Sequence, residues 1–307
     1  MKKAKGLKKR WYMFRDLIGF HSKKYNYKNN YTKDLKIESF CEDYLNNIVF
    51  KAQKKDSDIM LKVFEKFPTK TWVPYGTERT FVCGVDAAPG VTETTLTLLY
   101  DELKNNPKNK KILSIGCGLR DGLKFLEFIG YDAYGVDFDV PKDKQTDKLK
   151  WHNLNTTDDL PFDEGFFDVV LCQEVIEHIE NPWLLFRKVK RVLKKGGVFL
   201  FTTPNINCRE ARLKFASNIY GYNIHFNPDM TWYHINPLPF FELKHIISYN
   251  NFSIKTISGN MDYFIEYMVN DNDGEFVNVL NRNDVCHYLL INNDNEIKPY
   301  IPKPTFR

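Results

Sequence analysis

One stretch constrains this chain more than any other: ILSIGCGLRDG, residues 112–122, followed fifteen residues later by Asp137. The apolar run Ile112, Leu113, Ile115 reads as a buried strand that breaks at Gly116-Cys117-Gly118. Glycines at such a break allow positive φ and let a ligand approach the backbone closely. Leu123, Leu126, Glu127 and Ile129 then fit a helix, and Ala133-Tyr134-Gly135-Val136 reads as a second strand with Asp137 at its carboxyl end. A carboxylate in that place accepts hydrogen bonds from both hydroxyls of a ribose. The pattern predicts an adenosine-containing cofactor.

The glycine spacing argues against a dinucleotide. That site wants G-x-G-x-x-G with a pyrophosphate at the helix N-terminus, whereas Asp121 stands three residues after Gly118 and would repel it. The segment instead resembles motif I of the class I S-adenosylmethionine-dependent methyltransferases, D-x-G-C-G-x-G. The resemblance continues through WHNLNTTDDLPF, FFDVVLCQEVIEHIENP and RVLKKGGVFLFTTPN, in family order, over residues 151–205. It implies an α/β fold: a doubly wound, Rossmann-like, seven-stranded methyltransferase sheet, here with a mainly helical N-terminal extension and a cap insertion. It also implies S-adenosyl-L-methionine as cofactor. By the same resemblance Gly116, Cys117 and Gly118 shape the turn under the methionine moiety, and Asp137, with Phe138 beside it, holds the ribose. Asn153 and Leu154 meet the adenine edge, and Gln173 and Glu174 begin the turn near the sulfonium. Three positions depart from the family: Ser114 for an acidic residue, Arg120 for the third glycine, and Asn153 for a frequent Asp. Looser cofactor binding, or a non-catalytic cofactor-binding module, would follow from them.

Glu174, Glu177 and His178 fall at i, i+3 and i+4, the spacing of one helix face. With His234 or His225 they suit a divalent cation, an arrangement similar to that of the small-RNA 2′-O-methyltransferases. The block also occurs in relatives without metal, and the favoured reading has none: capping carboxylates, with His178 or His234 as the base that takes a proton from the acceptor. Further on, TTPNINCREARLKF and YHINPLPFFELKHIISYNNFSI resemble methyltransferases of cell-surface polysaccharide and O-antigen pathways. That resemblance implies an oxygen acceptor on a sugar, glycan intermediate or small molecule. It puts Asn205 at the pocket mouth, free to bond a substrate hydroxyl. Arg209 and Arg212, at i and i+3, share a helix face that suits a phosphate or acidic sugar, or else form a solvated surface pair. Nucleic acid is the less favoured acceptor.

Charge and composition bear on location. Residues 1–36 hold ten Lys and two Arg against two Asp, interleaved with Trp11, Tyr12, Phe14, Phe20, Tyr25, Tyr27 and Tyr31. Such a basic, aromatic arm suits an anionic membrane surface, a phosphorylated carrier or nucleic acid, or is a solvated tail. A mean hydropathy of −0.46 excludes a multi-span membrane protein, and Leu17-Ile18-Gly19-Phe20 is too short for a signal-peptide core. Six dispersed cysteines without a C-x-x-C pair read as free thiols in a reducing cytoplasm. The expected organisation is an arm at 1–36, a helical extension and lid at 37–105, and a methyltransferase domain at 106–307 with a cap at about 206–236. Within it, 37–67 is expected to be helical, Thr71–Pro89 irregular, 92–104 a helix capped by Thr92, about 239–249 a helix, and 252–258 and 284–291 strands. The expected location is cytoplasmic, with peripheral membrane contact through the arm.

Overall fold

A computed structural model describes residues 49–51, 69–72, 79–82, 91–102, 107–118, 121–208, 211, 212, 215, 226, 234–259, 285–294 and 296. Ten strands are described: β1 (Val49–Lys51), β2 (Thr69–Trp72), β3 (Arg79–Val82), β4 (Lys111–Ile115), β5 (Asp132–Asp137), β6 (Leu149–Trp151), β7 (Phe167–Cys172), β8 (Leu193–Pro204), β9 (Phe252–Gly259) and β10 (Val285–Asn292). The helices are α1 (Val91–Glu102), α2 (Asp121–Phe128), α3 (Pro182–Val192) and α4 (Phe240–Tyr249).

Eight strands form one sheet in the order β1-β9-β10-β8-β7-β4-β5-β6. The seven expected strands are β4 to β10. The pairs β6–β5, β5–β4, β4–β7 and β7–β8 run parallel, while β10 is antiparallel to both β8 and β9. The chain leaves β4 toward β5 and β6, then crosses back to β7. That reversal opens a crevice between the carboxyl ends of β4 and β7, where ligands of open α/β sheets bind.

The central strands are apolar on both faces because helices cover both. Side chains alternate along a strand, so β8 sends Val198 and Leu200 one way and Phe199 and Phe201 the other. The first pair joins Leu96, Leu98 and Leu99 of α1 and Leu123, Phe125 and Leu126 of α2 in one core. On the opposite face Phe186 of α3 meets the rings of Phe199, Phe201 and Phe252 edge-on at 5.2–5.8 Å, and Tyr288 stacks between Phe201 and Phe240. This is the doubly wound arrangement the sequence predicts.

The N-terminal half departs from expectation. Val49–Lys51, read as part of a helix, form β1, which adds an eighth strand parallel to β9 with Val49 opposite Thr256; the other residues of 37–67 lie outside the described set. The stretch Thr71–Pro89, expected to be irregular, overlaps an antiparallel ribbon, β2 with β3, with Thr69 opposite Val82 and Trp72 opposite Arg79. The described residues of this extension are therefore three short strands and one helix. β-Branched and aromatic residues (Thr69, Thr71, Trp72; Thr80, Phe81, Val82) suit a ribbon, although prolines and glycines stand around them in the sequence. Thr92 does not cap α1; it lies inside its first turn. The expected helix at 239–249 and the two terminal strands are present within a residue or two. Cys117, Cys172, Cys208 and Cys286 are buried thiols outside any disulfide, as expected. The arm at 1–36 and Arg120 lie outside the described residues, as does most of the cap.

Candidate active site

The glycine turn is built from both ends. Gly116 N–H and Cys117 N–H donate to Val136 O at 2.9 and 3.4 Å, which closes the turn against β5. Gly116 holds φ +73° and Gly118 φ +60°. A Cβ on Gly116 would stand 2.3 Å from Val175 Cγ2, so both conformation and space demand glycine there. Gly118 N–H donates to Asp137 Oδ2 at 2.8 Å, and Asp139 N–H donates to Oδ1 at 2.9 Å. Each carboxylate oxygen thus spends one lone pair on the backbone and keeps another for a ligand. The rigid carboxylate facing the glycine turn fits a ribose with vicinal hydroxyls. Phe138, 68% exposed, and Trp151, half-exposed and the register partner of Asp137, present aromatic surface beside it. The Cys117 thiol is pushed up to about 12 by burial and by the Asp137 charge, so it is an inert packing group. Ser114 is buried between Gly135 and Leu171 and brings no charge to the floor of the site.

Beyond β6 the chain forms a tight loop. Asn153 Oδ1 accepts from Asn155 N–H at 3.0 Å, while Asn153 O accepts from Thr156 N–H and Oγ1 at 3.3 and 2.9 Å. One lone pair of the side-chain oxygen expected to read the purine is therefore taken by its own loop, and the other is left for a ligand. Leu154 O and Thr156 O accept from the ammonium of Lys188 at 3.2 and 2.6 Å.

At the end of β7, Gln173 Nε2 donates to Thr92 Oγ1 at 3.2 Å, which ties α1 to the site. Glu174 occupies the left-handed region at φ +52°, which costs a non-glycine residue about 1 kcal/mol. Thr202 holds it there: its hydroxyl accepts from Glu174 N–H at 2.9 Å and donates to Glu174 Oε1 at 2.7 Å.

The expected helix face of Glu174, Glu177 and His178 is not formed. A 3-10 turn spans Ile176–His178, and α3 begins only at Pro182, capped by Asn181. The left-handed Glu174 points its carboxylate to Thr202, while Glu177 turns inward, fully buried. Neither Glu177 oxygen has a hydrogen-bond partner among the described residues. Burial and the nearby Glu174 charge push its carboxyl well above the usual carboxylate range.

The segment containing His234 is clamped to this turn. Glu177 O accepts from Ile235 N–H and Asn236 N–H, both at 2.9 Å, and Asn236 Nδ2 donates to Ile179 O. His234 Nε2 consequently lies 4.0 Å from Glu177 Oε1, and its ring meets His178 edge-on at 4.5 Å. Ligating atoms of Glu177, His178 and His234 all lie within 4.8 Å of one another. Two imidazoles and a carboxylate can share a proton or hold a transition-type cation. His225 lies outside the described residues.

The expected acceptor residues fare differently. Asn205 is 2% exposed rather than free, with Oδ1 accepting from Asn207 N–H and Nδ2 at 3.0 and 3.3 Å; it shapes the turn after β8. Arg212 is exposed on a helical turn after Cys208, and Arg209 lies outside the described residues. Two groups escaped the sequence reading. Thr202 sits in a run that reads as plain strand. Lys188 carries no motif, although its place one turn after Leu185, at the margin of the apolar stripe, was a signal.

A family profile described as "Methyltransferase domain" matches residues 91–262. Among curated proteins, the chain is 27% identical to a sarcosine/dimethylglycine N-methyltransferase of Aphanothece halophytica over 133 residues, covering 39% of this chain and 48% of that protein. It is 28% identical to a ubiquinone biosynthesis O-methyltransferase of Shewanella pealeana over 158 residues, covering 48% and 62%. The chain thus spans about half to three-fifths of the length of these relatives. A solved S-adenosylmethionine-dependent methyltransferase of Archaeoglobus fulgidus superposes with a TM-score of 0.45 at 17% identity, over 65% of this chain and 93% of that one.

Proposed function

The chain belongs to the methyltransferase-domain family, and from that premise we propose that it transfers the methyl group of S-adenosylmethionine to an oxygen of a sugar, glycan intermediate or small molecule. The observation that carries the cofactor half is the Asp137 carboxylate, held by Gly118 N–H and Asp139 N–H opposite a turn only glycine can make. When bound, the cofactor supplies a methyl already activated by its sulfonium, so the protein need only align, desolvate and accept a proton. Gly116 and Gly118 leave room for the methionine arm; Asp137 holds the ribose; Phe138, Asn153 and Leu154 border the adenine; Gln173 and Glu174 approach the reacting centre.

The acceptor half rests on the histidines. The curated relatives' names include both an N- and an O-methyltransferase, and a hydroxyl needs a base where a neutral amine does not. Imidazole is the side chain suited to that task near neutral pH. His178 and His234, side by side at the carboxyl end of β7, supply it. On this reading the cofactor, when bound, would supply the electrophilic methyl, and the proton of the attacking hydroxyl would pass to the imidazole of His178 or His234. Arg209 and Arg212, on the segment that resembles the polysaccharide-associated methyltransferases, are the proposed contacts to an anionic sugar. The arm at 1–36, with its surplus of ten positive charges, suits an anionic membrane surface on the cytoplasmic side.

A second reading has its own observation: the buried Glu177 carboxylate beside two imidazoles, one of them 4.0 Å away. Glu177, His178 and His234 would then hold a divalent cation, and the acceptor would be a ribose hydroxyl of RNA. Incubating cell-extract fractions with methyl-labelled cofactor tests both. Label in a glycan or nucleotide-sugar fraction supports the first reading, and label confined to RNA supports the second. Absence of label with cofactor bound indicates a binding module.

A further inference from the structure

Two lysines of α3 are buried, Lys188 at 1% exposure and Lys190 at 0%, although an ammonium is among the costliest groups to take out of water. Two residues apart on a helix, they point to different sides. Lys190 Nζ donates to Asn250 O, Asn292 Oδ1 and Asp294 Oδ1 at 2.8, 3.4 and 2.9 Å, far along the chain in the α4–β9 turn and at the end of β10. Lys188 Nζ donates to two backbone carbonyls of a single loop, Leu154 O and Thr156 O.

That loop borders the proposed adenine site. Its backbone runs off the end of β6, so its carbonyls have no strand to pair with and need donors from elsewhere. Besides Lys188, two further ties hold the loop among the described residues: His152 N–H donates to Asp137 O at 3.1 Å where the chain leaves β6, and the second reaches toward the histidine turn. Asn155 Oδ1 accepts from Glu180 N–H at 2.9 Å, and Glu180 stands two residues past His178. A side chain with one donor could satisfy one carbonyl. An ammonium, with three, reaches both.

We propose that Lys188 is a positioning residue for the cofactor: its ammonium pins the Leu154 and Thr156 carbonyls, which fixes the adenine-bordering loop relative to Asp137 and, through Asn155 and Glu180, relative to the histidine turn. The inference rests on the cofactor site proposed above. It assigns a role in cofactor affinity to a buried side chain that does not itself reach the ligand.

Lys190 provides the control, because it is equally buried on the same helix but serves another part of the fold. The full chain is prepared as Lys188→Met, Lys190→Met and Asp137→Ala, and each is titrated calorimetrically with S-adenosylhomocysteine. Both lysine variants should lower the unfolding temperature. Only Lys188→Met should weaken binding, by roughly tenfold or more, raise KM for the cofactor more than it lowers kcat, and speed amide exchange at residues 152–157. Unchanged affinity in Lys188→Met, or an equal loss in Lys190→Met, overturns the proposal. Where Asp137→Ala loses affinity and Lys188→Met does not, the clasp alone falls. Where Asp137→Ala also binds like the parent, the cofactor site and the clasp fall together.

Discussion

Gly116 allows the reasoning to be tested by decomposition. Replacing it with Ala imposes two separate costs. The first is conformational: φ +73° is left-handed, and a Cβ there costs about 1–2 kcal/mol. The second is steric: the new carbon would stand 2.3 Å from Val175 Cγ2, far inside van der Waals contact, and overpacking of this kind costs about 1–3 kcal/mol. The sum is about 2–5 kcal/mol. Gly118 isolates the first term, since it has φ +60° but nothing within 4 Å of a built Cβ. Gly118→Ala should therefore lose only about 1–2 kcal/mol. Val175→Ala removes the obstructing methyl and isolates the second. In the double variant Gly116→Ala/Val175→Ala the steric cost should vanish, giving a coupling of about 1–3 kcal/mol. Urea unfolding of the four proteins and Gly118→Ala, with slopes compared to check two-state behaviour, measures all of these. Turnover should also fall in Gly116→Ala, because Val175 immediately precedes the turn that carries Glu177 and His178. Additive single effects, or a Gly118→Ala loss as large as that of Gly116→Ala, would refute the account of the turn.

Asp137→Ala should weaken cofactor binding by about 2–4 kcal/mol, through two lost charge-assisted hydrogen bonds to the ribose; calorimetry showing parent-like affinity would remove the cofactor assignment. Activity should be indifferent to a chelator if His178 and His234 work as bases alone, whereas loss on dialysis with EDTA and recovery with Mn²⁺ or Zn²⁺ would favour the cation reading. His287, buried with Nε2–H donating to Val91 O at 2.9 Å, has its pKa lowered to about 4 by burial. It stays neutral in the fold while the unfolded chain protonates below about pH 6.5, so its contribution is present above that pH and is lost as pH falls to about 4. The loss amounts to about 3 kcal/mol, and the difference in urea midpoints between the parent and His287→Gln across that window measures it; parallel pH curves would contradict it. Removing residues 1–36 should abolish sedimentation with anionic vesicles and leave cofactor affinity intact, and the parent's binding should fall with salt; vesicle binding that survives truncation would assign it elsewhere.

Much of the fold was legible because its signals are local. Ile112 to Gly118 is a run and a break within seven residues, and Asp137 follows from a strand whose end is fixed by its own apolar pattern. The same locality explains the failures. Val49, Thr71–Trp72 and Arg79–Val82 were misjudged because β1 and the β2–β3 ribbon are defined by partners, Thr256 for Val49 and Arg79 for Trp72, rather than by a period in their own residues. Asn205 looked available because a sequence does not show that an Asx turn will take up its oxygen.

The E-x-x-E-H block marks the boundary most clearly. Residue types and spacing placed carboxylates and an imidazole at the end of β7, and they are there. The helix face inferred from that spacing is absent, because Glu174 takes φ +52° against Thr202, 28 residues away in the next strand, and the turn that follows is 3-10. His234 reaches His178 only because two amides after it bind Glu177 O, and Lys188 is buried only because a loop more than thirty residues before it lacks donors. Periodicity along a chain encodes strands, turns and helices, since each depends on neighbours within a few residues. Which carboxylate is buried, which imidazole it meets and which lysine holds a loop depend on contacts between distant segments, and those contacts exist only once the sheet has brought the ends of β5, β7 and β8 together.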